Sequence, residues 1–228
     1  MKEDPLGILV VDKKKNMTSH DVVDLVRRKF GIRKVGHAGT LDPNATGVLV
    51  LLLGKATKLS GTFSNEDKEY IATMKLGEKT DSADRDGNLI LTRKVRSSER
   101  EIKDTMAGFV GEMEQLPPMV SAKRVGGKRL YELARKGIEI ERKPQTIVIK
   151  EIDVMKIDLP FVTFRTVCSK GAYIRRLAED IGERLGCGAH LTELRRTRSG
   201  SFSLERAVSF PALLDMDRKM LDENIIRV

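Results

Sequence analysis

Residues 36–53 constrain this chain more than any other stretch. Gly36-His37-Ala38-Gly39-Thr40-Leu41-Asp42-Pro43-Asn44-Ala45-Thr46-Gly47 stands directly before an uninterrupted apolar run, residues 48–53. A run this short reads as a strand buried on both faces. It falls far below the roughly 18 apolar residues that a membrane-crossing helix needs. Pro43 biases Asp42 toward an extended backbone and keeps it out of any helix. The result is a carboxylate on a stiff, glycine-bounded loop at the entrance to a buried strand. Such a carboxylate can act as a nucleophile or a base, or it can simply cap a turn.

The flanking patterns mix both periods. Residues 7–11 read as another buried strand. A helix follows, opened by Thr18 and Asp21 in capping-box spacing, with Val22, Leu25, Val26 and Phe30 on one face and Gly31 placed to end it. Residues 69–76 alternate, putting Tyr70, Ala72, Met74 and Leu76 on one face. Ser98 and Glu101 open a helix bearing Ile102, Met106 and Phe109, and residues 146–157 and 161–168 read as strands. Ile174, Leu177, Ala178, Ile181 and Leu185 make a helical stripe closed by Gly186. Strands outnumber helices without strict alternation, which predicts an α+β fold with a mixed, largely antiparallel central sheet flanked by helices.

Composition narrows the partners. With 42 Lys and Arg against 33 Asp and Glu, the net charge is +9 in 228 residues, a balance that favours a polyanion. Aromatics are only 4% and Trp is absent, so this is no single-strand binder built on many stacking rings. Residues 119–143 hold eight Lys or Arg against three Glu, with Gly126, Gly127 and Gly137 interspersed. They read as a mobile basic insertion with one short helix around Leu130, Tyr131 and Leu133, able to order on a partner. Cys168 and Cys187 cannot form a disulfide framework and are expected to be reduced. No signal peptide or membrane span is expected, so the chain reads as a cytoplasmic protein. The glycine spacing fits neither a P-loop nor a dinucleotide fingerprint, and Cys187 with His190 lacks the second pair a zinc site needs.

The segment from Gly36 to Pro43 resembles the signature of the TruB family of pseudouridine synthases, enzymes that isomerise the T-loop uridine of tRNA. Further segments match in the family's order. They are Val11-Asp12-Lys13 with Thr18-Ser19-His20-Asp21, Gly54-Lys55-Ala56-Thr57-Lys58, Lys68-Glu69-Tyr70, and Gly77 with Thr80-Asp81-Ser82-Ala83-Asp84. Residues 115–122, Cys168-Ser169-Lys170-Gly171-Ala172-Tyr173-Ile174-Arg175 and Leu185-Gly186-Cys187-Gly188-Ala189-His190 complete the set. The motifs run from about Leu6 to Phe210. The resemblance implies the pseudouridine synthase fold as a single catalytic domain over residues 1–228.

It also implies roles. Asp42 becomes the catalytic nucleophile and Arg175 the fixed cation that keeps it charged beneath a base. Tyr70 stacks on the target base and takes part in removing the C5 proton. Tyr173 and Leu194 line the uracil pocket, and His37 contacts the RNA loop opened by the extruded nucleotide. Lys123, Arg124, Lys128, Arg129, Arg135, Arg195 and Arg196 are the expected RNA contacts. The uridine must be flipped out of its stack before a carboxylate can reach it, and either C6 or C1′ is open to attack. The base is retained and re-used, so no cofactor or metal is expected, and a monomer acting on the tRNA T-arm is the implied state.

Two departures stand out. The family usually reads Lys-Pro-x-Gly before Thr-Ser, whereas this chain has Lys13-Lys14-Lys15-Asn16-Met17, which removes a rigid turn. Most bacterial members also carry a C-terminal PUA domain, and residues 215–228 are too few for one. Two rival readings remain: the same chemistry on another RNA, and a tRNA-binding or folding chaperone with secondary catalysis.

Overall fold

The computed structural model describes residues 4–121, 123–134 and 137–228, with the backbone alone at 124, 125, 128, 129, 131 and 134. The chain packs as two compact units, one of Met1–Tyr70 with Leu194–Val228 and the other of Ile71–Glu193. The first begins with β1 (Gly7–Lys13), α1 (Ser19–Phe30), β2 (Val35–Ala38), β3 (Thr46–Leu53) and α2 (Ser60–Ser64). The chain passes into the second unit within β4 (Lys68–Leu76). There follow β5 (Glu78–Thr80), β6 (Leu89–Thr92), α3 (Glu99–Ala107) and β7 (Gly111–Gln115). Next come β8 (Arg124–Val125), β9 (Lys128–Arg129), α4 (Leu130–Ala134), β10 (Gln145–Asp158), β11 (Phe161–Cys168) and α5 (Ile174–Arg184). The chain returns within β12 (Ala189–Ser199) and finishes with β13 (Phe202–Ser203), β14 (Val208–Ser209), α6 (Phe210–Asp215) and α7 (Arg218–Asn224).

In the first unit the sheet runs β14-β1-β3-β12, with β2 also on β3 and β13 on β12. β1 and β2 are antiparallel to β3, while β14 on β1 and β12 on β3 are parallel. In the second unit β10 lies antiparallel between β11 and β7. The α+β class with a mixed, largely antiparallel sheet is therefore what the chain adopts. Among the described residues, no helix is long and apolar enough to cross a membrane.

Local chemistry explains the elements that position the site. α1 starts at the expected capping box, with the Asp21 amide donating to Thr18 Oγ1 (3.1 Å) and the Thr18 amide to Asp21 Oδ2 (2.7 Å). It stops at Gly31, whose φ of 63° is left-handed. The cap contributes about 1 kcal/mol, whereas burying Val22 and Val26 completely contributes on the order of 3–6 kcal/mol, so packing holds this helix. β4 alternates throughout, with Lys68, Tyr70, Ala72, Met74 and Leu76 buried. Both cysteines are buried, and among the described residues neither is in a disulfide.

In the basic segment the short helix expected around Leu130 and Leu133 is present as α4, and a hairpin of β8 and β9 that was not expected precedes it. Leu130 and Leu133 are buried. The Lys123 Nζ donates to Gln145 Oε1 at 2.7 Å, and Arg142 Nη1 to the Pro117 carbonyl at 3.0 Å.

Candidate active site

The loop carrying Asp42 joins β2 to β3. One edge of β3 pairs with β12 at Thr46 and Gly47, then with β2 from Val50 to Leu53. Gly47 is obligatory at this crossing. Its φ is +102°, and a Cβ there would lie 2.1 Å from the Arg196 carbonyl oxygen.

The loop backbone is fixed from three directions. Ser19 Oγ accepts from the Leu41 amide (2.9 Å) and donates to the Leu41 carbonyl (3.2 Å). Arg196, only 1% exposed, donates from Nε to the Val48 carbonyl (2.8 Å), from Nη2 to Gly39 (3.1 Å) and from Nη1 to Thr40 (3.5 Å). Lys13, fully buried, donates from Nζ to the carbonyls of Met17 (2.7 Å), Lys14 (2.9 Å) and Pro43 (3.0 Å). Burial pulls the Lys13 pKa down to about 8, opposed by the Asp42 charge and reinforced by Arg196. The ammonium stays protonated at neutral pH, as three carbonyl acceptors require. Two buried cations thus clamp the backbone on both sides of a half-buried Asp42.

This geometry corrects one expectation and extends another. Arg196 was expected to meet RNA phosphates. It is buried with its guanidinium spent on the Gly39, Thr40 and Val48 carbonyls, so it holds the Asp42 loop instead. Arg195 is partly exposed but pairs with Asp12 at 2.7 Å. Lys13 had no assigned role in the sequence. The Lys-Pro-x-Gly turn lost here is replaced by backbone carbonyls of residues 14 and 17 gathered on one ammonium, with Asn16 at φ 63°. Lys13→Met should leave these carbonyls without a charged donor and cost about 1–3 kcal/mol. Thermal unfolding should show a fall of several degrees, and an unchanged midpoint would mean that the three bonds contribute nothing.

Tyr70 is buried on β4, Leu194 is half-buried on β12, and His37 lies on β2 opposite Leu51. In the second unit Tyr173 caps α5. Its amide donates to Gln115 Oε1 (2.7 Å), and its carbonyl accepts from Gln115 Nε2 (3.1 Å). Gln115 is itself buried, so the helix start is held at two points. Arg175 is 3% exposed and donates to the carbonyls of Ser82 (3.2 Å) and Val120 (2.8 Å), with Asp84 Oδ2 at 3.3 Å. Ser82, Asp84 and Gln115 lie within the family motifs, and the resemblance assigns them no role. Their signal was polar residues at fixed motif positions, without apolar periodicity. Arg135 lies outside the described residues, and Arg124, Lys128 and Arg129 are described by backbone only.

The pattern of the TruB family pseudouridylate synthase N-terminal domain matches residues 27–174, and that of the tRNA pseudouridylate synthase B C-terminal domain matches residues 175–227. The second match extends beyond the Phe210 limit expected from the motifs and takes in α6 and α7. The chain is 47% identical over 223 residues to the tRNA pseudouridine synthase B of Opitutus terrae, across 97% of this chain and 92% of that one. With the Alkaliphilus oremlandii protein of the same name it shares 49% identity over 207 residues, 91% of this chain and 69% of that one. Among solved structures, a chain of a Cbf5–Nop10–Gar1 complex superposes with a TM-score of 0.77 at 32% identity, covering 97% of this chain and 60% of its own length. These likenesses define the class as pseudouridylate synthases. The chain belongs to the TruB family.

Proposed function

We propose that this chain converts a uridine in the T-loop of tRNA to pseudouridine, with Asp42 as the nucleophile. The observation that carries this reading is a carboxylate on a loop whose flanking carbonyls are fixed by two buried cations, in a chain of this family. Such a loop loses little freedom when the reaction begins, so the carboxylate is pre-positioned for attack. Relatives at 47–49% identity are named for tRNA, which favours tRNA over another RNA.

The reaction follows from the residues. The uridine leaves its stack, and Asp42 attacks its C6 or C1′. The bond between N1 and C1′ breaks and the uracil turns. C5 then bonds to C1′, the bond between Asp42 and the carbon it attacked breaks to return the carboxylate, the C5 proton leaves and N1 takes up a proton, so atoms balance as in any isomerisation. Tyr70 stacks on the base and assists departure of the C5 proton, Tyr173 and Leu194 line the pocket, and His37 meets the opened loop. Arg175 keeps the role of fixed cation that the family resemblance assigns to it. The basic segment 119–143, through Lys123 and its neighbouring lysines and arginines, grips the T-arm backbone.

Affinity drawn from the T-arm has a measurable consequence. An isolated T-arm hairpin should be modified with kcat/KM within about tenfold of full tRNA, under roughly 1.4 kcal/mol. Steady-state kinetics on both substrates test this. A hairpin a hundredfold worse would mean that the protein reads tRNA beyond the T-arm.

A further inference from the structure

Outside the residues assigned above, the second unit carries an exposed basic cluster. Arg93, Lys94 and Arg96 are all exposed on the segment between β6 and α3. With Leu185, Gly186 and Cys187 they line an open hollow of about 370 Å³ at the C-terminal end of α5. The segment is anchored, because the Arg93 amide donates to the Gly77 carbonyl (2.8 Å) and its Nη1 to the Gly186 carbonyl (3.1 Å).

Helix-end electrostatics explain only part of this. The C-terminus of α5 carries partial negative charge that one cation satisfies, and Arg93 already bonds there. Glu183, whose carboxyl feels the Arg93 charge, is held by Lys79 at 2.6 Å. Glu179 is held by the same lysine at 3.0 Å. Lys94 and Arg96 therefore project two further like charges over the same hollow. Among the described residues neither makes an ion pair, whereas Lys79, Arg176 and Arg165 are each paired with two carboxylates. Like charges crowded at a concave surface favour an anion there. α5 rises about 15 Å from Ile174 to Arg184, so the hollow is well separated from Tyr173 and Arg175.

We propose that Arg93, Lys94 and Arg96 form a second contact to the phosphate backbone of the RNA substrate, distinct from the basic segment 119–143. This rests on the reading of the protein as an RNA-modifying enzyme. Contacts of this kind set affinity and orientation without reading sequence.

Lys94→Gln/Arg96→Gln tests it, because neither side chain makes an internal bond and Arg93 keeps its hold on Gly186. Thermal unfolding verifies that the variant is folded. Binding of unmodified tRNA transcript is measured from about 50 to 200 mM salt, where each lost phosphate contact lowers the log–log slope by about 0.7–0.9. The expected result is a Kd raised about tenfold near 100 mM salt with the slope reduced by about 1.4–1.8. The charge-reversed pair Lys94→Glu/Arg96→Glu should weaken binding further. A charge-matched control, Arg28→Gln/Lys219→Gln on exposed helix positions of the first unit, should move the slope much less. Wild-type slope and Kd in the double variant, or an equal loss in the control, would overturn the proposal. Pseudouridine mapping on the same wild-type samples reports separately on the enzymatic reading. RNA binding with the expected slope change but no pseudouridine would sink that reading and leave the contact standing.

Discussion

Asp42→Asn should abolish pseudouridine formation while tRNA binding stays within a few-fold of wild type. An amide is nearly isosteric with a carboxylate, so the ground-state contacts survive, but it is a poor nucleophile. Backbone clamps from Lys13, Arg196 and Ser19 do not involve the Asp42 side chain and should hold the loop in place. Single-turnover kinetics with enzyme in excess separate chemistry from binding. Residual turnover above about a thousandth of wild type would remove Asp42 from the nucleophile role.

Arg196→Met carries the second large effect, and it discriminates between two roles for one arginine. The change removes a buried guanidinium and strands the Gly39, Thr40 and Val48 carbonyls, each of which then lacks its charged donor. Breaking such a buried charged network costs on the order of 3 kcal/mol, which for a chain this long lowers Tm by about 6–12 °C. Below the new midpoint the rate should still fall about a hundredfold, since displacing a nucleophile by about 1 Å has that scale of effect. RNA affinity should keep its wild-type salt slope. A phosphate contact would instead reduce the slope by about 0.7–0.9 and leave Tm almost unchanged.

Arg196 also shows where the sequence stopped being informative. α1, α3, α5 and β4 could be read directly because their determinants are local: capping boxes at Thr18 and Ser98, helical stripes, and strict alternation around Tyr70. β12 escaped notice because its pattern is broken by Glu193, Arg195, Arg196 and Arg198. Periodicity counts apolar residues, and here the residue turned inward is an arginine, satisfied by carbonyls some 150 positions earlier in the chain. The same applies to Lys13, which looks like part of a charged surface loop until Met17 and Pro43 are seen to converge on its ammonium. β2 was hidden because Gly36 and His37 read as loop, although pairing with Gly36 and His37 is made by the backbone of Leu52 and Leu51. Asp42 itself was legible as an unusual carboxylate because Pro43 and the glycines are local signals. Its role came from the family resemblance. In the basic segment, net charge outweighed the burial of Leu130 and Leu133, so its hairpin went unpredicted.

The second unit teaches a related point. Arg175 sits in the first turn of α5, where the helix dipole disfavours a cation. Its bonds to Ser82, Val120 and Asp84 offset that cost, and all three partners come from other elements of the same unit. A residue in an unfavourable local position that is nonetheless buried and bonded to three partners is placed there by its surroundings.

Asp42 is the group proposed to drive uridine isomerisation in the T-loop of tRNA. Mapping pseudouridine at single-nucleotide resolution in unmodified tRNA transcript, after incubation with wild-type protein or with Asp42→Asn, tests it most directly. One T-loop pseudouridine is expected with wild type and none with the variant. Pseudouridine outside the T-loop, its absence with wild type, or its presence at equal yield with Asp42→Asn would contradict it.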